Sequence, residues 1–125
     1  MKITLSDGEW KLMNRLWDHA PRTITELVAA LREETGWSKN TVITMLGRLE
    51  AKGAVRHEEG HRAKLYYPVT DREDAARTET ESFLDKVYGG SLGLMMSAMV
   101  DSRRLTPEDI AELSAILEKA GGERP

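Results

Sequence analysis

Apolar residues recur along the chain with two different periods, and turn residues mark where one gives way to the other. Trp10, Met13, Leu16 and Trp17 repeat at helical spacing and define one apolar face from Trp10 to about His19. Ser6, followed three residues later by Glu9, forms a capping box ahead of that run. Leu5 and Trp10 hold the two positions of a hydrophobic staple, and Pro21 ends the helix. A second helix is predicted from Thr23, whose capping partner is Glu26, through Ile24, Leu27, Val28 and Leu31 to about Gly36. A third starts almost at once, with Ser38 as N-cap, Val42, Met45, Leu46 and Leu49 facing inward, and Gly53 as its stop. Two helices joined by a tight, Gly-containing connection make a helix-turn-helix.

After Gly53 the period shortens. Ala54 to Glu58 and Ala63 to Val69 flank a polar turn containing Gly60, and Leu65, Tyr66, Tyr67 and Val69 favour a strand. A hairpin following a helix-turn-helix makes a winged helix. Thr70 with Glu73 is expected to cap a further helix through Ala76, Phe83, Leu84 and Val87 that stops at Gly89 and Gly90. A Met-rich segment follows with Leu92, Leu94, Met95, Met96, Met99 and Val100. The last helix has Thr106 as N-cap, Pro107 in its first position, Asp109 in its first turn, and Ile110, Leu113, Ile116 and Leu117 as its face. The expected fold is therefore mainly α. Residues 1–70 form a winged helix-turn-helix with a small β-hairpin wing, and residues 71–125 an α-helical C-terminal domain. That second part is too small to bury its own apolar stripe as a monomer. A second copy is the economical partner, because two-fold dimers are the commonest oligomers. The alternative is that it folds back on its own winged domain.

Composition bounds this picture. The 125 residues, 40% hydrophobic and 31% charged with no biased tract, suit a folded protein and leave no room for a large multi-domain enzyme. The absence of cysteine removes disulfides, thiolate chemistry and cysteine metal sites. Lys2, Asp7, Glu9 and Lys11 interrupt any signal-peptide core, and Ser91 to Val100 is too short to span a bilayer, so a cytoplasmic protein without a membrane partner is expected.

Charge changes the picture more. The net charge of -3 argues against a nucleic-acid partner, yet it is unevenly spread. Residues 1–70 carry 11 basic and 9 acidic side chains, whereas residues 71–125 carry 7 and 12. Between residues 36 and 64, Lys39, Arg48, Lys52, Arg56, Arg62 and Lys64 outnumber Glu50, Glu58 and Glu59. On the third helix, Asn40, Thr44, Gly47 and Ala51 lie opposite the buried side, with Ile43 and Arg48 at the shoulders. Such side chains suit a DNA groove. Arg48 can fork onto guanine or phosphate, Asn40 can pair with adenine, Thr44 can hydrogen bond, and Ile43 can touch a thymine methyl. Gly47 permits close approach, while Ser38, Lys39 and the adjoining Thr41 place a helix N-terminus and a cation together for a phosphate. The wing adds His61, Arg62 and Lys64. A charge set of this size is most often an ordinary solvated face; its placement on the second helix of a helix-turn-helix and on the following hairpin favours DNA.

Two other motifs compete. His57-Glu58-Glu59-Gly60-His61 satisfies the H-E-x-x-H pattern of zinc peptidases, which requires a helix, but Gly53 and Gly60 bracket too few residues for one. No metal or cofactor is expected. Gly89-Gly90-x-x-Gly93 follows a helix rather than a strand and reads as a helix stop, not a phosphate loop.

Several segments also resemble one family. They are L-S-D-G-E-W-K-L-M-N-R-L-W at 5–17, W-S-K-N-T-V-I-T-M-L-G-R-L at 37–49, A-K-G-A-V at 51–55, F-L-D-K-V-Y-G-G at 83–90 and L-T-P-E-D-I-A-E-L-S-A-I-L at 105–117. Together they are similar to the penicillinase-repressor family of the BlaI/MecI type. The resemblance implies a homodimeric winged-helix repressor of a dyad-symmetric operator, controlling β-lactam-resistance or related genes. It implies that Phe83, Val87 and Tyr88, with the Met-rich helix that carries Leu94, Met95 and Met99, belong to the dimerisation domain; the apolar pattern adds Leu84, Ile110, Leu113, Ile116 and Leu117 to the expected dimerisation residues. It also implies inactivation by a protease of a sensor pathway, and the position equivalent to the family's Asn-Phe cleavage pair is Ala98-Met99. The chain departs from the family pattern at Ser38 to Asn40, where Pro then Lys is common, and at Ile43, where a basic residue is common. The reading from another class is a winged-helix module that docks proteins without binding DNA. An enzyme is disfavoured, because no acid, base and nucleophile converge.

Overall fold

Side chains chosen for local hydrogen bonding set every helix start in the first half of the chain. In the computed structural model, which describes residues 2–122, α1 (Asp7–Asp18) and α2 (Ile24–Thr35) both open with closed capping boxes, Ser6 with Glu9 and Thr23 with Glu26. Ser38 caps α3 (Lys39–Lys52) by accepting the Thr41 N–H at 3.2 Å. Gly36 and Gly53 end α2 and α3 in the left-handed conformation that glycine adopts without a Cβ penalty. The hairpin is β1 (Val55–Glu59) paired antiparallel with β2 (Lys64–Pro68), with His57 opposite Tyr66. A Cβ at Gly60 would overlap the Ala63 carbonyl oxygen, which is why the turn needs glycine there. Arg22 adds a third backbone partner to the sheet by exchanging two hydrogen bonds with Tyr66.

The core lies beneath the helix-turn-helix. Leu12, Met13 and Leu16 of α1, Leu27 and Leu31 of α2, and Val42, Leu46 and Leu49 of α3 are fully buried, with Val55 and Tyr66 closing the wing side. The first helix differs in detail from the sequence expectation, because Leu12 is buried while Trp10 and Trp17 are only partly so. The two indoles meet edge to face at 5.6 Å, and Trp17 Nε1 donates to the Thr70 carbonyl at 2.8 Å. Gly8 admits the Met45 methyl and the Trp37 ring against the first turn of α1.

α4 (Arg72–Tyr88) corrects two expectations. Its cap is Asp71, whose Oδ1 accepts the N–H groups of Glu73 at 2.8 Å and Asp74 at 3.3 Å. Thr70 is occupied elsewhere, its N–H on Ala54 and its carbonyl on Trp17. The buried residue on the first turn is Ala75, and Ala76 is exposed. Contacts divide the chain into two compact units, residues 1–81 and 82–125, so the start of α4 belongs with the winged helix.

The second unit holds the end of α4, then α5 (Leu92–Asp101) and α6 (Pro107–Gly122). Gly89 and Gly90, both with positive φ, stop α4. Ser91 caps α5, and Thr106 with Asp109 forms a capping box on α6. No described residue from 82 onward is buried. Phe83, Val87, Leu92, Leu94, Met99, Val100, Ile110, Ile116 and Leu117 are all exposed, and Phe83 touches Tyr88 edge to face. Among the described residues no helix is long and apolar enough to cross a membrane.

Candidate nucleic-acid interface

Burial of Val42, Leu46 and Leu49 fixes the rotation of α3 and turns its opposite side to solvent. Asn40, Thr41, Ile43, Thr44, Gly47 and Arg48 are all exposed there, Ile43 to 42%. A shallow groove runs between Asn40, Thr41, Thr44, Met45 and Arg48. A Cβ built at Gly47 would meet no atom within 4 Å. The chain's own packing therefore gives no reason for a glycine that costs a helix interior about 1 kcal/mol. At the N-terminus of α3, Ser38 and Thr41 share a hydroxyl contact of 3.2 Å, and the first turn carries Lys39 and no carboxylate. α1 and α2 each place Glu in that position.

His61, Arg62 and Lys64 are exposed at the tip of the wing. Lys39, Arg48, Arg62 and Lys64 make no ion pair among the described residues. Two other cations of the stripe are engaged. Arg56 stacks on the Tyr67 ring at 4.2 Å and lies 3.6 Å from Glu58, whose hydrogen bond raises the Tyr67 phenol above its ordinary value. Lys52 reaches back to α1, donating to the Glu9 carboxylate at 2.6 Å and to the Thr4 carbonyl at 2.8 Å.

Glu9 is only 3% exposed and also accepts the Ser6 N–H at 2.7 Å. Burial alone would raise its carboxyl. The hydrogen bonds from Lys52 and Ser6 and the charge of Lys52 outweigh that and hold it below the ordinary carboxylate value. A depressed carboxyl contributes stability above its unfolded value and loses it as pH falls through the folded one. Acid below about pH 4.5 is thus expected to weaken the link between α1 and α3. In urea titrations across that range, Glu9→Gln should have a flatter pH dependence than the parent, and an unchanged slope would contradict the assignment. Glu26, lowered by its backbone hydrogen bond from Thr23, adds a contribution of the same sign, screened by its exposure to solvent.

The second cross-element link joins α3 to the wing. His57 Nδ1 lies 2.6 Å from Glu50 Oε2, and the imidazole sits 5.6 Å from the Tyr66 ring. Burial, then the charges of Glu50 and Glu59, push the Tyr66 phenol up. Sequence reasoning missed both links. Glu9 with Lys52 and Glu50 with His57 are brought together by tertiary packing, and neither spacing carries a local signature. The H-E-x-x-H pattern falls on β1 and the turn, so His57 and His61 do not share a helical face. Among the described residues no group of three or more His, Asp or Glu could hold a metal ion.

Residues 5–119 match the family described as Penicillinase repressor. The penicillinase repressor of Bacillus licheniformis is 35% identical over 92% of this chain and 90% of its own length. The methicillin resistance regulatory protein MecI of Staphylococcus aureus is 26% identical over 92% of this chain and 94% of its own. Among solved structures, the DNA-binding domain of the repressor BlaI superposes with a TM-score of 0.53 at 36% identity, covering 59% of this chain and 93% of that one. The Bacillus licheniformis BlaI monomeric form in complex with the blaP half-operator gives 0.51 at 35% identity, covering 57% and 87%. The exposed third helix and the hairpin thus sit on the same winged-helix frame as those repressors. With a match spanning residues 5–119 and more than a third of the aligned positions shared with one member, this chain belongs to the penicillinase repressor family, a family of repressors and not of enzymes.

Proposed function

We propose that the protein is a cytoplasmic, dimeric transcriptional repressor that reads a dyad-symmetric operator with α3 and straddles the adjacent backbone with its wing. The observation that carries this reading is the outer face of α3, where an exposed Ile43, an Arg48 without an ion pair among the described residues and an internal Gly47 lie together on a helix whose rotation is locked by its core. Arg48 and Asn40 supply base-edge hydrogen bonds and Ile43 an apolar contact, while Lys39 and the uncompensated N-terminus of α3 take a phosphate. Arg62 and Lys64, with His61, take phosphates from the wing. The relative solved with the blaP half-operator supports this use of the frame. A half-operator as the ligand of a monomeric form also fits an operator of two halves, read by two copies.

The second unit supplies the pairing. Three helical segments with no buried described residue need a cover for Phe83, Leu84, Val87, Tyr88, Leu94, Met95, Met99, Ile110, Leu113, Ile116 and Leu117, and a second copy provides one. Genes of β-lactam resistance or their relatives are the proposed targets, by analogy with the named relatives. Ala98 and Met99 lie inside α5, so proteolytic inactivation at that bond would first require the helix to open.

Gly47 separates a DNA-reading helix from a merely solvated one. Gly47→Leu is expected to raise the thermal midpoint, since leucine is the better helix former and nothing blocks it. The same change should lower affinity for a duplex selected from random sequence by at least about tenfold, as should Arg48→Ala, by loss of one base contact. Either variant binding that duplex as tightly as the parent would overturn the assignment of α3.

A further inference from the structure

The Glu50–His57 contact lies at a mechanically special place. The wing is anchored at its base by buried Val55 and, on the rung where Tyr66 faces His57, by the backbone bridge between Arg22 and Tyr66. Beyond His57, Glu58, Glu59 and the turn residues make no side-chain hydrogen bond to the helices among the described residues, and Gly60 bonds only within the hairpin, to Ala63. His57 to Glu50 is therefore the outermost side-chain hydrogen bond from the wing to the body and ties β1 to α3 on the rung where the Arg22–Tyr66 bridge holds β2. Its other end is on α3, two residues after Arg48. A carboxylate only accepts, so Nδ1 carries the proton and donates it, which fixes the ring against Tyr66.

We infer that the Glu50–His57 pair is a positioning clamp that sets the wing at a fixed angle to α3, so that Arg62 and Lys64 reach the duplex backbone while Arg48 is in the groove. The lever is long: strands rise about 3.3 Å per residue, so the tip lies roughly 10 Å past His57, and a rotation of about 10° there displaces it by about 2 Å. A displacement of that size breaks a charge-assisted hydrogen bond. Neither residue touches DNA in this arrangement; both act through the wing-tip cations. The inference rests on the DNA-reading role proposed above.

The test is a coupling experiment on the full chain, with a duplex that the parent selects from a random pool. Arg62→Ala in the parent is expected to weaken binding about fivefold to tenfold, as loss of one phosphate contact does. In a Glu50→Ala background, the same change should cost less than about twofold, because the wing is then free to turn about the Arg22–Tyr66 bridge and its tip is no longer held at that angle. Arg48→Ala, by contrast, should cost the same in both backgrounds. A purely structural role for the pair would produce no such selectivity. His57→Phe keeps a ring beside Tyr66 without the donor and should reproduce the loss, while Glu50→Gln, which keeps an acceptor oxygen, should restore most of the coupling. Thermal midpoints within a few degrees of the parent establish that each variant is folded; His57→Phe carries the test should Glu50→Ala fail that criterion. Equal losses for Arg62→Ala in both backgrounds overturn the clamp and leave the reading of α3 intact. A parent insensitive to Arg62→Ala overturns the wing contacts and the clamp with them. Failure of the parent to select any duplex overturns the DNA-reading role itself.

Discussion

Leu117→Asp is expected to convert the proposed dimer to a monomer and to lower its affinity for a two-half duplex by about 10²- to 10⁴-fold. Leu117 is 64% exposed in the single chain, so a carboxylate there costs the isolated fold little. Ile110 and Ile116 on the same helix, and Phe83 and Val87 of α4, are exposed as well, more large apolar side chain than a single copy covers. Buried between two copies, an aspartate would lie in an apolar seam, where an unpaired charge is strongly disfavoured. The affinity loss follows from linkage: two reading heads joined in one particle bind the second half-site as an intramolecular event, with a gain of that order. Sedimentation at micromolar concentration measures the first effect, and titration against whole and half duplexes the second. A parent chain that sediments at 14.0 kDa would refute the dimer. A Leu117→Asp protein that still discriminates whole from half duplex would refute the role given to α6.

The second large effect is Leu46→Ala, expected to lower stability of the first unit by about 2–5 kcal/mol through lost burial and the cavity left behind. Leu46 is 1% exposed and stands directly under the face carrying Ile43 and Gly47. A loss of that size is a large part of a typical domain's total of about 5–15 kcal/mol. The three tryptophans, Trp10, Trp17 and Trp37, all lie in the first unit, so their fluorescence in a urea titration reports this unit separately from the helical tail. Thr44→Ala, on the exposed side of the same helix, is the control and should change the midpoint by no more than about 0.5 kcal/mol. A Leu46→Ala cost below about 1 kcal/mol would contradict the packing described.

What could be read from the sequence was what is decided locally. Ser6, Thr23, Ser38 and Thr106 cap helices because their oxygens reach N–H groups three residues on, and Gly36 and Gly53 stop helices because glycine adopts positive φ without a Cβ penalty. The helix-turn-helix, the hairpin and the exposed side of α3 follow from those boundaries and the apolar period. Tertiary competition was less legible. Thr70 looks as good a cap as Asp71, but the return of the hairpin claims its backbone. Lys52 and Arg56 look like members of a DNA-facing stripe, yet one is drawn to a buried carboxylate and the other onto a tyrosine ring. Their neighbours Lys39, Arg48, Arg62 and Lys64 are the cations left for a polyanion.

The absence of any buried described residue in the second unit has a consequence for dose response. If that unit acquires its core only on pairing, the amount of competent reader varies with the square of free chain concentration wherever dimers are the minority. Halving the chain would then cut the dimer, and with it the occupancy of an unsaturated operator, by about fourfold rather than twofold. A cell could release the target genes by modest dilution or slowed synthesis of this one polypeptide, with no ligand pocket required.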